Sequence, residues 1–224
     1  HVHPNIGAFW MYSKGTFLAV ETGYTANKWT KDHNTLLIDG KGQAADGTYH
    51  NERNIPYGDL NQARIDQSYL CDAYGYASGS FGGAYSKQVS GVNLHRSVLM
   101  TPRWLLVIDD MDSAAEHSLT WLCHADAVFQ PEGSAYVARL PQAALAVFPL
   151  APAGLQAKVE PTVILSGRTI SEMVPDKGKP IQHGYHLSVT QPQPAKTVQF
   201  VNLLVSLDKD EKPPEVQLVA QEKN

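Results

Sequence analysis

Short apolar runs separated by polar turns recur along the chain, and almost no stretch repeats its apolar residues with the period of a helix. Alternation is clearest over residues 117–124, where Leu119, Trp121 and Cys123 would share one face of a strand. Gly and Pro separate the runs at spacings typical of hairpins and short loops. The pattern therefore predicts an all-β fold, an antiparallel β-sandwich of many short strands.

The same pattern predicts the extent of individual elements. Strands are predicted over residues 6–12, 16–20, 34–39, 63–73, 93–100, 104–109, 117–124, 135–140, 143–148, 158–166, 186–190 and 197–207, with a further short one over 216–220. Turns are predicted at residues 14–15, 39–40, 101–103 and 141–142. Three stretches are predicted to be loops: the polar runs 42–60 and 173–183, and the Gly- and Ser-rich run 75–85.

Composition limits the class of protein. The chain has 224 residues, of which 43% are apolar and 18% charged, so we expect one large all-β domain over residues 1–224 with a packed core. The net charge is −4 without a block of like charges, so neither a nucleic acid nor a membrane surface is an expected partner. Cys71 and Cys123 allow one disulfide or none.

The candidate chemistry is concentrated near the start of the chain. His1 and His3 are one residue apart and would point to the same side of an extended segment. Glu21 and His33 could join them, and imidazole with carboxylate suits Zn²⁺ or another divalent ion. In a cupin-type metal barrel the acidic residue follows the His pair within a few residues, whereas Glu21 comes 18 residues after His3. The alternative is that the His pair is merely polar and exposed at a chain end.

Other polar residues give weaker signals. His124 follows a predicted core strand and is interpreted as a hydrogen-bonded core histidine rather than a ligand. His95 and Arg96 lie in a strand as a surface or hydrogen-bonded pair. The acidic run 109–112 lacks the spaced oxygen ligands of a Ca²⁺ loop, and we expect a solvated strand end there.

The first 43 residues contain a series of motifs: HVHPN, GAFWMY, ETGY, then HNTLLIDG, and further along HRSVLMTPRWLLVIDDMDS. This series resembles the C-terminal β-sandwich domain of the heparinase II/III-like polysaccharide lyases. The sequence departs from the family pattern at Pro4 and Asn5, where an acidic residue is usual, and at Glu21, where Asp is usual. Glu21 still offers a carboxylate, which reaches one methylene further.

The resemblance implies a function. Lyases of this family cleave uronic-acid-containing polysaccharides by β-elimination, and a preceding helical (α/α) toroid, absent from this chain, supplies the catalytic Tyr. His1 would then be catalytic and face substrate, while His3, Glu21 and His33 would hold a divalent metal such as Zn²⁺. Trp29, Asn34 and Arg96 are the predicted substrate-binding residues, although Trp29 could equally be a packing residue. The expected partners are an acidic polysaccharide and the helical toroid, and the expected location is periplasmic or secreted.

Three alternatives stay open at this point. A uronate epimerase of related fold would use the same proton abstraction without elimination. A non-catalytic carbohydrate-binding or structural domain would use the metal only to hold its fold. If His1 were the mature N-terminus, its amine and imidazole would suit the copper site of a polysaccharide monooxygenase, which the later motifs disfavour.

Overall fold

Antiparallel strands make up nearly all the regular structure in the computed structural model, which describes residues 3–22, 28–47, 58, 63–162 and 184–219. The strands are β1 Met11–Ser13, β2 Thr16–Ala19, β3 Leu36–Ile38, β4 Arg64–Leu70, β5 Gly75–Ser80, β6 Val92–Met100, β7 Trp104–His117, β8 Leu119–Ala125, β9 Phe129–Glu132, β10 Ala135–Arg139, β11 Ala143–Ala151, β12 Gln156–Thr162, β13 Gly184–Thr190 and β14 Ala195–Asp208. Short 3₁₀ segments cover Thr30–Asp32 and Gly82–Tyr85.

The strands form two principal sheets, which pack as a sandwich and confirm the predicted fold. The larger sheet has the order β4-β5-β6-β7-β14-β11-β10-β9, and the smaller has the order β12-β13-β8-β3. A separate hairpin, β1-β2, is joined to the smaller sheet through an isolated bridge between Val20 and His124. This bridge brings the end of the hairpin beside the smaller sheet.

Apolar side chains that alternate along the strands fill the space between the sheets. Trp121 from β8 and Phe200 from β14 are fully buried in this core, as are Leu145 and Leu204. A second apolar cluster surrounds Phe148, and Val216 of the C-terminal stretch packs against this cluster. No helix in the described part of the chain is long and apolar enough to cross a membrane.

The tight turns follow the sequence closely. Lys14 and Gly15 have φ values of 52° and 79°, and Asp39 and Gly40 have values of 53° and 69°. Positive φ at both central residues is the mark of a type I′ hairpin turn, which favours Asp or Asn followed by Gly. The predicted hairpin through 101–103 is also confirmed, since Met100 pairs with Leu105 across it.

The predicted loop over 75–85 is wrong, because its first part is strand β5 in the larger sheet. Its glycines are needed for close backbone packing rather than for a flexible loop. A Cβ on Gly79 would lie 2.5 Å from the carbonyl oxygen of Arg64, beside an irregularity in β4. A Cβ on Gly82 would lie 2.2 Å from the carbonyl oxygen of Val92. Glycine inside a strand commonly marks such a close approach.

Several other predictions need correction. The predicted strand 6–12 is regular only from Met11, and residues 216–219 form no strand. Strand β9 was not predicted, because Phe129–Glu132 contains a proline. The acidic run 109–112 lies inside the long strand β7, and Asp109 is fully buried rather than solvated. The loop predicted over 173–183, and residues 163–166 of a predicted strand, lie outside the described residues.

Candidate functional site

Three of the predicted site residues meet at one edge of the smaller sheet. His3 belongs to the irregular N-terminal segment, Glu21 follows β2, and His33 follows the 3₁₀ segment that leads into β3. The His33 Nδ1 atom lies 3.1 Å from Glu21 Oε2, and both side chains are buried. The rings of His3 and His33 meet edge to face with centroids 5.5 Å apart. Residues far apart in sequence thus form one compact polar cluster.

The donor types of this cluster suit a metal ion. Two imidazoles and one carboxylate are common ligands of Zn²⁺. The buried His33 Nδ1 faces Glu21 Oε2 at 3.1 Å, without the geometry of a directed hydrogen bond. As the side chains stand, however, no group of three His, Cys, Asp or Glu within the described ranges is arranged to hold a metal ion. The chemistry of the set therefore fits a metal, while Glu21 and His33 face each other directly.

A second pair of histidines lies behind this cluster. His124 is fully buried, with Nδ1 2.9 Å from Asn34 Oδ1 and Nε2 3.0 Å from the carbonyl oxygen of Lys31. Burial, together with the nearby His186 and His33, lowers the pKa of His124 to about 3. Burial also lowers the pKa of His186, against the effect of Glu160. Both ring nitrogens of His124 face protein oxygens, which agrees with its interpretation as a core histidine.

Asn34, predicted to bind substrate, is fully buried beneath this edge. Its Nδ2 donates to the carbonyl oxygens of Phe9 and Val20 at 2.9 and 2.8 Å, and its Oδ1 accepts from the backbone N–H of His124. The amide thus joins the N-terminal segment, the end of β2 and β8. Its contacts are internal, and a role in substrate binding stays a prediction.

Arg96, also predicted to bind substrate, points into the protein from β6. Its Nε and Nη2 donate to the two carboxylate oxygens of Asp109 at 2.6 and 2.9 Å. Its Nη1 donates to the carbonyl oxygens of Gly7 and Asn34. Because Arg96 is only 5% exposed and Asp109 is fully buried, this is a desolvated ion pair that anchors the N-terminal segment.

Gln43 completes the attachment of the N-terminal segment. Its Oε1 accepts from the backbone N–H of Ile6 at 2.9 Å, and its Nε2 donates to the carbonyl oxygen of the same residue at 2.8 Å. The Thr35 hydroxyl donates to that carbonyl as well. Buried side chains therefore make hydrogen bonds to this segment in place of those that a neighbouring strand would have made to a strand over residues 6–10. Sequence reasoning missed Gln43, because a glutamine in a polar run carries no signal of burial.

Trp29 is the most exposed of the predicted site residues that the structure describes. It is 39% exposed, and the Lys31 ammonium lies 5.6 Å from its ring. The ring packs over Gly47, where a Cβ would come within 2.7 Å of it. One part of the indole is thus fixed by packing while another is accessible, and its role in sugar stacking stays a prediction.

Of the tyrosines near the motifs, Tyr85 is inside the core. Its hydroxyl donates to the carbonyl oxygen of Leu36 at 2.6 Å, and burial raises its pKa to about 12. A phenol held in this way is a poor proton donor to a substrate. His1 and Tyr24, like Tyr49 and Tyr57, lie outside the described residues.

The family model described as "Heparinase II/III-like, C-terminal" matches residues 1–217. A search of curated proteins gives no match.

Among solved structures, heparan sulfate lyase HepC from Pedobacter heparinus is similar with a TM-score of 0.72 and 16% identity, over 96% of this chain and 32% of that one. A heparinase III gene product is similar with a TM-score of 0.68 and 13% identity, over 93% of this chain and 31% of that one. Another heparinase III structure has a TM-score of 0.61 and 10% identity over 93% of this chain. The chain spans about a third of the length of these proteins.

Proposed function

Because this chain belongs to the heparinase II/III-like family, as its C-terminal domain, we propose that it is the β-sandwich part of a lyase that cleaves uronic-acid-containing polysaccharides by β-elimination. The observation that carries the proposal is the cluster of His3, Glu21 and His33, found together with a family match over residues 1–217. Heparan sulfate lyase HepC, which has a similar fold, supports the same reaction class.

The reaction sets clear chemical requirements. A base removes the proton at C5 of the uronate, the electron pair forms a C4–C5 double bond, and the C4–O4 bond breaks. A donor then gives a proton to the leaving O4. Histidine and tyrosine suit these steps because their surroundings can bring their pKa values near neutral pH. In this proposal His1 faces substrate, and the second proton-transfer group lies on a helical toroid outside the present chain.

We propose that His3, Glu21 and His33 hold a divalent metal of the Zn²⁺ kind. When bound, the ion would supply a structural cross-link between the N-terminal segment, the end of β2 and the start of β3. His3 would then fix the position of the residues beside it, including His1. Behind the cluster, the backbone N–H of His124 donates to Asn34 Oδ1 and helps to hold Asn34 in place.

Substrate binding is proposed at the accessible face of Trp29, whose ring can stack on a sugar. Asn34 and Arg96 would contribute indirectly, since their hydrogen bonds fix the segment that carries His1 and His3. The expected location of the protein is periplasmic or secreted.

The test uses the complete gene product and its His1→Ala and His3→Ala variants. Turnover is followed by the ultraviolet absorbance of the unsaturated product over several uronate polymers. His1→Ala should keep its metal and melting temperature but lose turnover by about 10²-fold or more. His3→Ala should lose metal and stability together. Equal metal loss from both variants would contradict the catalytic assignment of His1. Epimerised polymer without unsaturated product would contradict the proposed lyase reaction.

A further inference from the structure

Two side chains of one short segment project into solvent beside the candidate site. Trp29 and Lys31 are exposed, whereas Thr30 between them is fully buried. The Lys31 ammonium lies 5.6 Å from the centroid of the Trp29 ring. Two residues further along the chain, His33 turns inward to Glu21. An aromatic ring and a cation are therefore presented together next to the candidate site.

Buried contacts fix the backbone that carries these two side chains. The backbone N–H of Thr30 donates to Asp46 Oδ1, and the Thr30 hydroxyl accepts from the backbone N–H of Gln43 at 2.8 Å. The carbonyl oxygen of Lys31 lies 3.0 Å from Nε2 of the buried His124. A ligand that binds to a segment fixed in this way does not have to order it first, which favours binding.

Lys31 makes no ion pair with another residue that the structure describes, and its neighbour Asp32 is half-buried. Lys14, by contrast, lies 2.6 Å from Asp208. A cation–π contact at an exposed site is weak, and 5.6 Å is close to its outer limit of about 6 Å. An anionic ligand can therefore replace the Trp29 ring as the partner of the ammonium at little cost.

We propose that Lys31 is a specificity-determining residue that recognises a negatively charged group on a sugar stacked on Trp29, an inference that rests on the proposed function. An aromatic ring offers an apolar face to acidic and neutral sugars alike, so Trp29 alone does not distinguish them. The ammonium beside the ring adds the distinction, because it is a compact positive charge with three hydrogen-bond donors. The group that it would recognise is a carboxylate or a sulfate ester.

The experiment measures dissociation constants of hexasaccharides by calorimetry with the complete gene product. The His1→Ala variant is the background, so that turnover does not consume the ligand. Hexasaccharides from alginate and unsulfated chondroitin carry only carboxylates, those from heparan sulfate and ulvan also carry sulfate, and cellohexaose is the neutral probe.

Three substitutions are compared in that background. Lys31→Gln removes the charge, and Lys31→Arg keeps it. Lys196→Gln is the matched control, because Lys196 is an exposed lysine on another element, near the start of β14.

Lys31→Gln should weaken the binding of acidic hexasaccharides by about fivefold or more, because one charge attraction at a partly exposed site is lost. It should leave any binding of cellohexaose unchanged, and Lys31→Arg and Lys196→Gln should bind like the background protein. A larger loss for the sulfated probes would assign the recognised group as sulfate, and equal losses for all acidic probes would assign it as the carboxylate.

The proposal would be overturned if Lys31→Gln bound every probe unchanged, if it lost cellohexaose equally, or if Lys31→Arg showed the same loss. A background protein that binds no acidic hexasaccharide would overturn it too. The predicted binding loss, without unsaturated product from the protein that retains His1, would keep the role of Lys31 and reject the lyase. Unsaturated product with unchanged binding in Lys31→Gln would do the reverse.

Discussion

The buried ion pair between Arg96 and Asp109 allows the sharpest prediction about stability. In Arg96→Met the Asp109 carboxylate would be left in the core without its partner, because both of its oxygens accept from Arg96. Breaking a buried pair in this way costs about 3–5 kcal/mol. The carbonyl oxygens of Gly7 and Asn34 also lose a donor, each worth about 1–3 kcal/mol when buried. Because these losses are not additive, we expect the free energy of unfolding to fall by about 4 kcal/mol.

The assay is equilibrium unfolding in urea, followed by tryptophan fluorescence, which reports on the buried Trp121. Arg103→Met is the matched control, because Arg103 pairs with Glu211 at an exposed site. Its loss should be about 1 kcal/mol or less. A double variant, Arg96→Met with Asp109→Leu, should recover much of the lost stability, since an apolar pair needs no counter-charge. A loss of less than about 1 kcal/mol in Arg96→Met would refute the reasoning.

Three further predictions concern the same framework. Asn34→Leu leaves buried carbonyls and an N–H without partners and should cost about 2 kcal/mol or more in urea unfolding; an unchanged midpoint would contradict this. His124 should show no titration in NMR near the ordinary histidine pKa of about 6.5. The free energy of unfolding should fall as the pH drops below that value, because the unfolded state binds the additional proton. A titration of His124 near pH 6.5 would contradict this prediction. Gly82→Ala should lower the free energy of unfolding by about 1–3 kcal/mol, because the added methyl group would clash with the backbone of Val92. Gly133→Ala should cost less, about 1 kcal/mol, because the space there is open and only the φ of 62° is unfavourable. Equal losses would show that the backbone shifts to admit the methyl group at Gly82.

The features that followed from the sequence are those with a local cause. The Asp39-Gly40 turn needs positive φ at both central residues, and this dipeptide supplies it at low cost. Alternation placed Leu119, Trp121 and Cys123 on one buried face, as observed. The grouping of His3, Glu21 and His33 has no such local cause and came from the residue types and the family resemblance. The fold brings the three side chains into one cluster, and their role as metal ligands stays a prediction.

The features that were missed depend on distant partners. The strand predicted over 6–12 has the right composition, but Gln43, Thr35 and Arg96 take the hydrogen bonds that a neighbouring strand would have taken. The burial of Arg96 could have been inferred from hairpin register. Pairing Met100 with Leu105 puts Arg96 opposite Asp109, where an ion pair allows both to be buried.

The strand at Gly75–Ser80 could not have been inferred in the same way. Its glycines are typical of loops, and the need for Gly79 arises only when the backbone of Arg64 approaches it. Local propensity therefore predicts a loop, and contact with β4 and β6 overrides it.

Metal content tests the central claim most directly. The complete gene product, purified without a His tag, should contain about one divalent ion per chain by elemental analysis. His33→Ala should lose that ion and melt at a lower temperature, because the ion contributes to folding. His186→Ala, a change of a nearby histidine outside the proposed ligand set, should keep it. An unsubstituted protein that contains no metal, and whose melting temperature a chelator leaves unchanged, would contradict the account.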